Sequence, residues 1–260
     1  MGKYYKISII GSGNVAWHLS QALENAGHSI LEIYSPNIKN AKKLCAKLYE
    51  AVPTDSLNFL ASKAELFIIA VSDKAISSVA KEVRIPESSL IVHTSGTESI
   101  ETLKDLPNPY GVFYPIQSFS KSRKINFKEI PVSIESSDKG SLAFLQKVAE
   151  SISKKVLKHS TEQRRVIHLA CVFAANFTNH MFTISKGLLE SNKLDFNLVK
   201  PLILEVVSKA LEIGPENVQT GPAIRKDFNT INKHLSYLSE EQGLTDIYKS
   251  VTDDIIKTHD

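Results

Sequence analysis

Cysteine is scarce. The 260 residues hold two, Cys45 and Cys171, too few for a disulfide framework or an all-cysteine zinc site. An excess of one charge is missing as well. Lys and Arg number 31 against 28 Asp and Glu, a formal net charge of +3. Nucleic-acid binders usually carry a concentrated basic stripe, which this balance argues against. The local cluster from Lys121 to Lys124 reads as solvated loop surface. Long apolar runs are missing too: no segment reaches the ~18 residues that span a bilayer. The short alternating run from Tyr4 to Ile10 lacks the length and cleavage site of a secretion signal. The expectation is a cytoplasmic protein in a reducing setting, with neither membrane nor nucleic acid as partner. No G-x-S-x-G elbow exists for a serine hydrolase. His168, Cys171 and His180 share no compact face, so no metal site is expected, and Cys171 reads as an inert helix cysteine.

What is present is the composition of an ordinary globular protein, 42% hydrophobic and 23% charged. In the first half, short apolar runs alternate with helical periodicity. Lys6–Ile10, Ser29–Tyr34, Leu66–Val71, Leu90–His93, Tyr110–Tyr114 and Pro131–Ile134 read as strands. Residues 14–26, 40–48, 75–83 and 138–151 read as helices, with Gly27 ending the first. Leu66–Val71 is nearly all apolar, as a strand buried on both faces requires. This alternation predicts a Rossmann-type α/β fold, a doubly wound parallel sheet. After a last strand near 154–157 the strand signals vanish. Helical patterns then run over 161–189, 197–211, 225–238 and 245–256. The expected organisation is a dinucleotide-binding domain over 1–157 and an all-helical domain over 158–260. Helix 161–189 is long for a small bundle and apolar around much of its surface, which predicts cover from a second subunit and hence a homodimer.

The sharpest motif is Gly11-Ser12-Gly13-Asn14-Val15-Ala16, directly after a strand and opening a helix. In this pattern the first glycine permits a tight turn and the second admits a pyrophosphate. The small third residue lets helix and strand pack closely. Amides at the helix start face the phosphates. An acid at the end of the second strand would hold the ribose diol of NAD, but Ser35 stands there. Glu32 lies mid-strand, and Lys39 could meet a 2′-phosphate. NADP is therefore favoured over NAD. Val71 and Ser72, then Thr94 and Ser95, follow later strand ends, where open α/β sheets bind ligands. They are further cofactor candidates, and Asp73 is expected to cap the next helix. His93 and Gln117 suit either a ligand contact or a loop-fixing hydrogen bond.

The helical half offers three candidate catalytic groups. His168 can donate a proton near neutral pH. Asn176, among Phe173, Ala174, Ala175 and Phe177, reads as a buried amide that binds substrate or the nicotinamide carboxamide, or else bridges two helices. Arg225, in Thr220-Gly-Pro-Ala-Ile-Arg-Lys-Asp227, is expected in the first turn of a helix with Asp227. There its planar fork would hold an anionic group or make a packing salt bridge.

The segments Gly11–Ala16, Ala70–Asp73, His93–Gly96, Tyr114–Phe119, His168–Asn176, Thr220–Asp227 and His234–Leu238 together resemble a family that pairs a Rossmann-like domain with a C-terminal domain called DUF2520. Wider relatives are the deazaflavin-dependent NADP reductases, pyrroline-5-carboxylate reductases and 6-phosphogluconate-dehydrogenase-like enzymes. The resemblance implies an NAD(P)-dependent oxidoreductase acting on a small substrate between two domains. It also exposes departures. Tyr114 stands where the family often has His, Ala175 where it often has Ser, and Lys226 where it often has Gly. Val172 stands where related hydroxyacid dehydrogenases carry a lysine four residues before the asparagine. Pro36 stands where many relatives have Arg. These departures leave open a non-catalytic NAD(P)-binding sensor, or a structural protein on a relic fold.

Overall fold

The computed structural model describes residues 4–259. Among them, eight strands form one sheet. They are β1 (Lys6–Ile10), β2 (Ser29–Tyr34), β3 (Val52–Thr54), β4 (Leu66–Ile69), β5 (Leu90–His93), β6 (Tyr110–Pro115), β7 (Val132–Ser136) and β8 (Val156–Lys158). The spatial order is β3-β2-β1-β4-β5-β6-β7-β8. Helices α1 (Asn14–Asn25), α2 (Ile38–Cys45), α3 (Asp73–Glu82) and α4 (Lys139–Ile152) make the crossovers. The order runs outward from β1 in both directions, so the β1/β4 junction is the switch point where a doubly wound sheet opens a crevice.

Two-residue periodicity sorts the core. In β1 and β4, Ile7, Ile9, Leu66 and Ile68 join the cluster under α1, α2 and α4, while Ile10, Phe67 and Ile69 face the cluster under α3. Successive strand side chains point to opposite faces, so a sheet covered on both sides needs unbroken apolar strands.

The sheet is not wholly parallel. β6 and β7 pair antiparallel, and β8 then runs parallel to β7. Residues 116–131, which join β6 to β7, hold only a short helical turn at Phe127–Glu129. Without a crossover helix the chain returns beside β6 in the opposite sense. The short edge strand β3 has no periodicity long enough to announce it.

Strand structure ends close to the expected place, after β8. The chain nevertheless divides into compact units elsewhere, the first ending at His180 and the second beginning at Met181. Helix α5 (Thr161–Cys171) thus belongs to the sheet-bearing unit. A capping box starts it: Ser160 Oγ accepts from the Gln163 amide, and Gln163 Oε1 accepts from the Ser160 amide. Arg164, 0% exposed, then pins α5 to β7 through Glu135. The expected single helix over 161–189 is interrupted by a π-helical turn at Val172–Phe177 before α6 (Thr178–Ser191) resumes.

The second unit contains α7 (Lys200–Ile213), α8 (Phe228–Tyr237) and α9 (Gln242–Thr258). Pro201 suits the first turn of α7, where its missing amide proton costs nothing. Ile231 of α8 and the nearby Ala223 and Leu238 are buried, whereas α7 has no buried residue at all.

Candidate functional site

The glycine turn sits between β1 and α1. Gly11 has φ of 133°, and a Cβ there would lie 2.2 Å from the Ala70 carbonyl oxygen. Both the backbone conformation and the closeness of the β4 end demand glycine. Gly13 is different. A Cβ on it would meet only Ala70 O, at 4.0 Å, and would otherwise project into open space. Gly13 is also the N-cap of α1 and offers no side-chain cap. The first helical bond runs from the Trp17 amide to Gly13 O at 2.9 Å. The amides preceding it are the donors a helix start leaves for an anion.

A cavity of about 620 Å³ opens over this turn. Of the cofactor candidates, Gly11, Ser12, Gly13, Asn14, Val15, Ser35, Val71 and Ser72 line it. So do Tyr34, Leu57, Val79 and Glu82, which carried no recognisable motif. Open space at Gly13, uncapped amides and apolar walls fit a dinucleotide. Burial, with Glu82 and Asp55 nearby, raises the Tyr34 hydroxyl above its ordinary value, so the phenol stays neutral. Glu32 is not in the cavity. It accepts from Ser8 Oγ and, at 3.0 Å, from Ser62 Oγ.

Three cofactor candidates fall outside the cavity lining. Lys39 is exposed on α2, with its amide capped by Asn37 Oδ1 at 3.1 Å. Thr94 is buried and donates to Ile69 O at 3.3 Å. Ser95 is buried, and its Oγ accepts from the amides of Thr97 and Glu98 at 3.1 and 3.0 Å. Their hydroxyls organise a turn, because a buried loop must satisfy its own polar groups. His93 is spent in the same way. Its Nδ1 accepts from the Ser95 amide and its Nε2 donates to Ser99 O, each at 3.2 Å. Burial, reinforced by the Arg164 charge, pushes His93 down to about 4 and keeps it neutral. Gln117 is exposed and accepts from its neighbour Ser118. Asp73 does not precede its helix but begins it, and it accepts from Thr97 Oγ1 at 2.8 Å.

That turn is a platform for His168. Arg164 donates to the carbonyls of Ser95 and Glu98 and to the Glu135 carboxylate. Arg165 donates to Thr97 O at 2.8 Å. One helical turn beyond Arg164, the His168 ring lies against Gly96. A Cβ on Gly96 would come within 2.5 Å of His168 Nδ1. Tyr114 Oη lies 3.2 Å from the same nitrogen. Burial, with Cys171 close by, pushes the Tyr114 hydroxyl up to about 12, so it remains a donor. A phenol donating to Nδ1 leaves the proton of neutral His168 on Nε2. Sequence reasoning singled out His168 but missed Arg164, Glu135 and the direct role of Tyr114. The Arg164-Arg165 pair after a capping box was the available signal.

Asn176 is a correction. It is exposed, not buried, and lies within the π-helical turn. Burial was inferred from its apolar neighbours, but Phe173, Ala174, Ala175 and Phe177 are themselves exposed; within the turn Thr178 Oγ1 donates five residues back to Phe173 O at 3.2 Å. Such turns recur at functional sites. Arg225 is also corrected: it is exposed in the turn before α8, not in its first helical turn. Asp227 is the N-cap and accepts from the Thr230 amide and hydroxyl at 3.1 and 2.7 Å, which hold its carboxyl below the usual carboxylate range. Lys226 has φ of 52°, the left-handed conformation that favours glycine. Among the described residues no group of three or more His, Cys, Asp and Glu could hold a metal ion. None of the described helices is long and apolar enough to cross a membrane.

The comparisons with known proteins agree with this geometry. Residues 130–255 match the family model described as domain of unknown function DUF2520. Residues 6–96 match the model described as NADP oxidoreductase, coenzyme F420-dependent. A Bacteroides fragilis protein provisionally named an NADP oxidoreductase is 37% identical, with 98% of each chain covered and a TM-score of 0.88. The chain belongs to the family of Rossmann-fold NAD(P)-binding proteins with a C-terminal DUF2520 domain. This DUF2520 protein is therefore related to NAD(P)-dependent oxidoreductases. A Thermotoga maritima protein shares its fold at 23% identity and a TM-score of 0.78, covering 97% of this chain and 99% of its own. A reductive aminase from Aspergillus terreus, solved with NADPH, shares the fold at 12% identity and a TM-score of 0.68, with 99% and 97% covered. Comparison with curated proteins gives no match.

Proposed function

We propose that this DUF2520 protein is an NAD(P)-dependent oxidoreductase acting on a small, anionic carbonyl or imine substrate or its reduced form. The cavity of about 620 Å³ over the uncapped start of α1 carries the reading. When bound, the dinucleotide supplies the hydride chemistry. The chain's part is to cradle the pyrophosphate with the amides after Gly13 and to keep apolar walls around the rest. His168 is the proton donor through Nε2, with Tyr114 and Gly96 fixing its tautomer and position. The proposal assigns Asn176 the orientation of a substrate carbonyl or imine, and Arg225 the hold on an anionic group.

NADP(H) is the preferred form in this reading, supported by Ser35 at the β2 end where an acid would repel a 2′-phosphate. The reading also includes a homodimer formed through the helical region. Its support is α7, apolar yet without a buried residue, with Leu204 and Leu211 exposed at 72% and 82%.

Gly13→Val tests the core of the reading. A valine there would fill the open space a pyrophosphate needs while meeting little protein. NADPH affinity is expected to fall at least tenfold, with a melting temperature near wild type. Equal affinities in titrations of variant and wild type overturn the assignment. Tighter binding of NADH than NADPH overturns the NADP preference alone.

A further inference from the structure

A second cavity, of about 860 Å³, is lined by α1 residues from Trp17 to Asn25 and shares no lining residue with the cavity over the glycine turn. Five cationic side chains line it, Lys47, Lys121, Arg123, Lys124 and Lys128, and no acidic residue does. Lys121, Arg123, Lys124 and Lys128 fall within residues 121–128 of the connection between β6 and β7, and the fold adds Lys47 from the segment after α2.

The arrangement is built into the fold. Lys121 Nζ donates to Ser12 O at 2.8 Å and sits 5.3 Å from the centre of the Trp17 ring. Lys128 Nζ donates to Ser151 O at 2.6 Å. The loop is closed by the Arg123 amide donating to Ser120 O at 3.1 Å and fastened to α1 by His18 Nε2, 2.9 Å from that same oxygen. These bonds hold the cationic loop against α1. Among the described residues no carboxylate lies at ion-pair distance from any of the five. Like charges held together without counter-charge repel, and an anion entering the hollow relieves that repulsion.

We infer that this cavity is a second anion site that takes a nucleotide-sized di- or triphosphate, separate from the dinucleotide at the glycine turn. A compact polyphosphate carries several negative charges, matching five cations where one carboxylate would not. Lys and Arg groups are the usual partners of phosphate oxygens. The hollow is also large enough for a ligand of that class.

The test is calorimetric titration of the full chain with tripolyphosphate. The Gly13→Val background removes the glycine turn as a competing phosphate site; should that variant not fold, wild type saturated with NADPH serves. One saturable site per chain is expected, weakening when salt is raised. In the same background Lys47→Glu and Lys124→Glu, from opposite segments, are each expected to weaken it at least tenfold. The exposed Lys104→Glu, outside the cavity, is expected to leave it within twofold. Absence of saturable binding overturns the proposal. So does an equal loss from Lys104→Glu, which would mean diffuse attraction, or complete loss on disabling the glycine turn, which would place the anion there. Failure of NADPH to bind wild type overturns the oxidoreductase reading instead and leaves the lysine comparison intact.

Discussion

The sheet-bearing unit and the helical unit handle apolar residues in opposite ways. In the first, β4 and β5 are buried along their whole length, and two apolar clusters fill both faces of the sheet. In the second, α7 has Leu202, Leu204, Val206 and Leu211 exposed. Burial of apolar area is the main favourable term in folding. The sheet therefore supplies its own core, while the helices from α5 onward, with Val166, Leu169, Phe173 and Phe177 of the first unit among them, carry exposed apolar surface. The contrast also locates chemistry. Within the first unit His93 spends both ring nitrogens on its own turn, whereas the half-buried His168 meets Tyr114 through Nδ1.

The comparison breaks most severely at Arg164. Replacing it by Met leaves Glu135 without its buried partner and frees the carbonyls of Ser95 and Glu98. Loss of one member of a buried ion pair costs about 3–5 kcal/mol. Urea unfolding should show that loss, and a change under 1 kcal/mol would mean that the clamp is dispensable.

Acid tests the same loop. His93 is held near 4, below its ordinary 6.5, so the folded chain binds fewer protons than the unfolded chain between those values. Stability is then present above about pH 6.5 and lost as pH falls toward 4, by ~3 kcal/mol in all. Burial also lowers His28, which adds a loss of the same sign. Asp138, Asp195 and Asp227 are held below the usual carboxylate range, so their contribution is lost only at lower pH. Unfolding measured from pH 7.5 to 4.5 should show the fall, with a shallower slope in His93→Gln. Identical slopes would remove His93 as the cause.

The helical side is sharpened by Leu204→Lys with Leu211→Lys. Both side chains are already exposed within one chain, so an isolated monomer should lose under about 0.5 kcal/mol. A dimer resting on α7 should dissociate about a hundredfold more readily, equivalent to ~2.7 kcal/mol. Light scattering at micromolar concentration decides; a wild-type monomer near 28.8 kDa contradicts the dimer.

The smallest effect lies before α8. Lys226→Gly removes a left-handed strain of ~1–2 kcal/mol and adds unfolded-state entropy, for a net gain of about 0.5–1 kcal/mol. Melting should rise by roughly 1–4 °C. A lower melting temperature would show that the lysine side chain outweighs the strain.

Much of this was readable from residue order. Gly11 and Gly13 announce themselves because a glycine turn is local: strand, turn and helix start lie within one short stretch. The burial of Asn176 was misread because apolar neighbours imply a core, while residues 173–177 are all exposed within one chain. Thr94 and Ser95 were not placed by sequence alone, because hydroxyls after a strand serve a ligand or their own turn equally well. The strong polar contacts around Ser95 come from Arg164, far along the chain.

Residue order by itself determined the alternating strands and helices, the glycine turn between β1 and α1 and the change to an all-helical second half. Each rests on spacing between near neighbours. Only the tertiary structure decided that Arg164 and Glu135 fasten α5 to the sheet, that His168 rests on Gly96 beside Tyr114, and that Lys47 joins the cations of residues 121–128 around one hollow. Those facts depend on residues distant in sequence meeting at hydrogen-bonding range, which local periodicity does not encode.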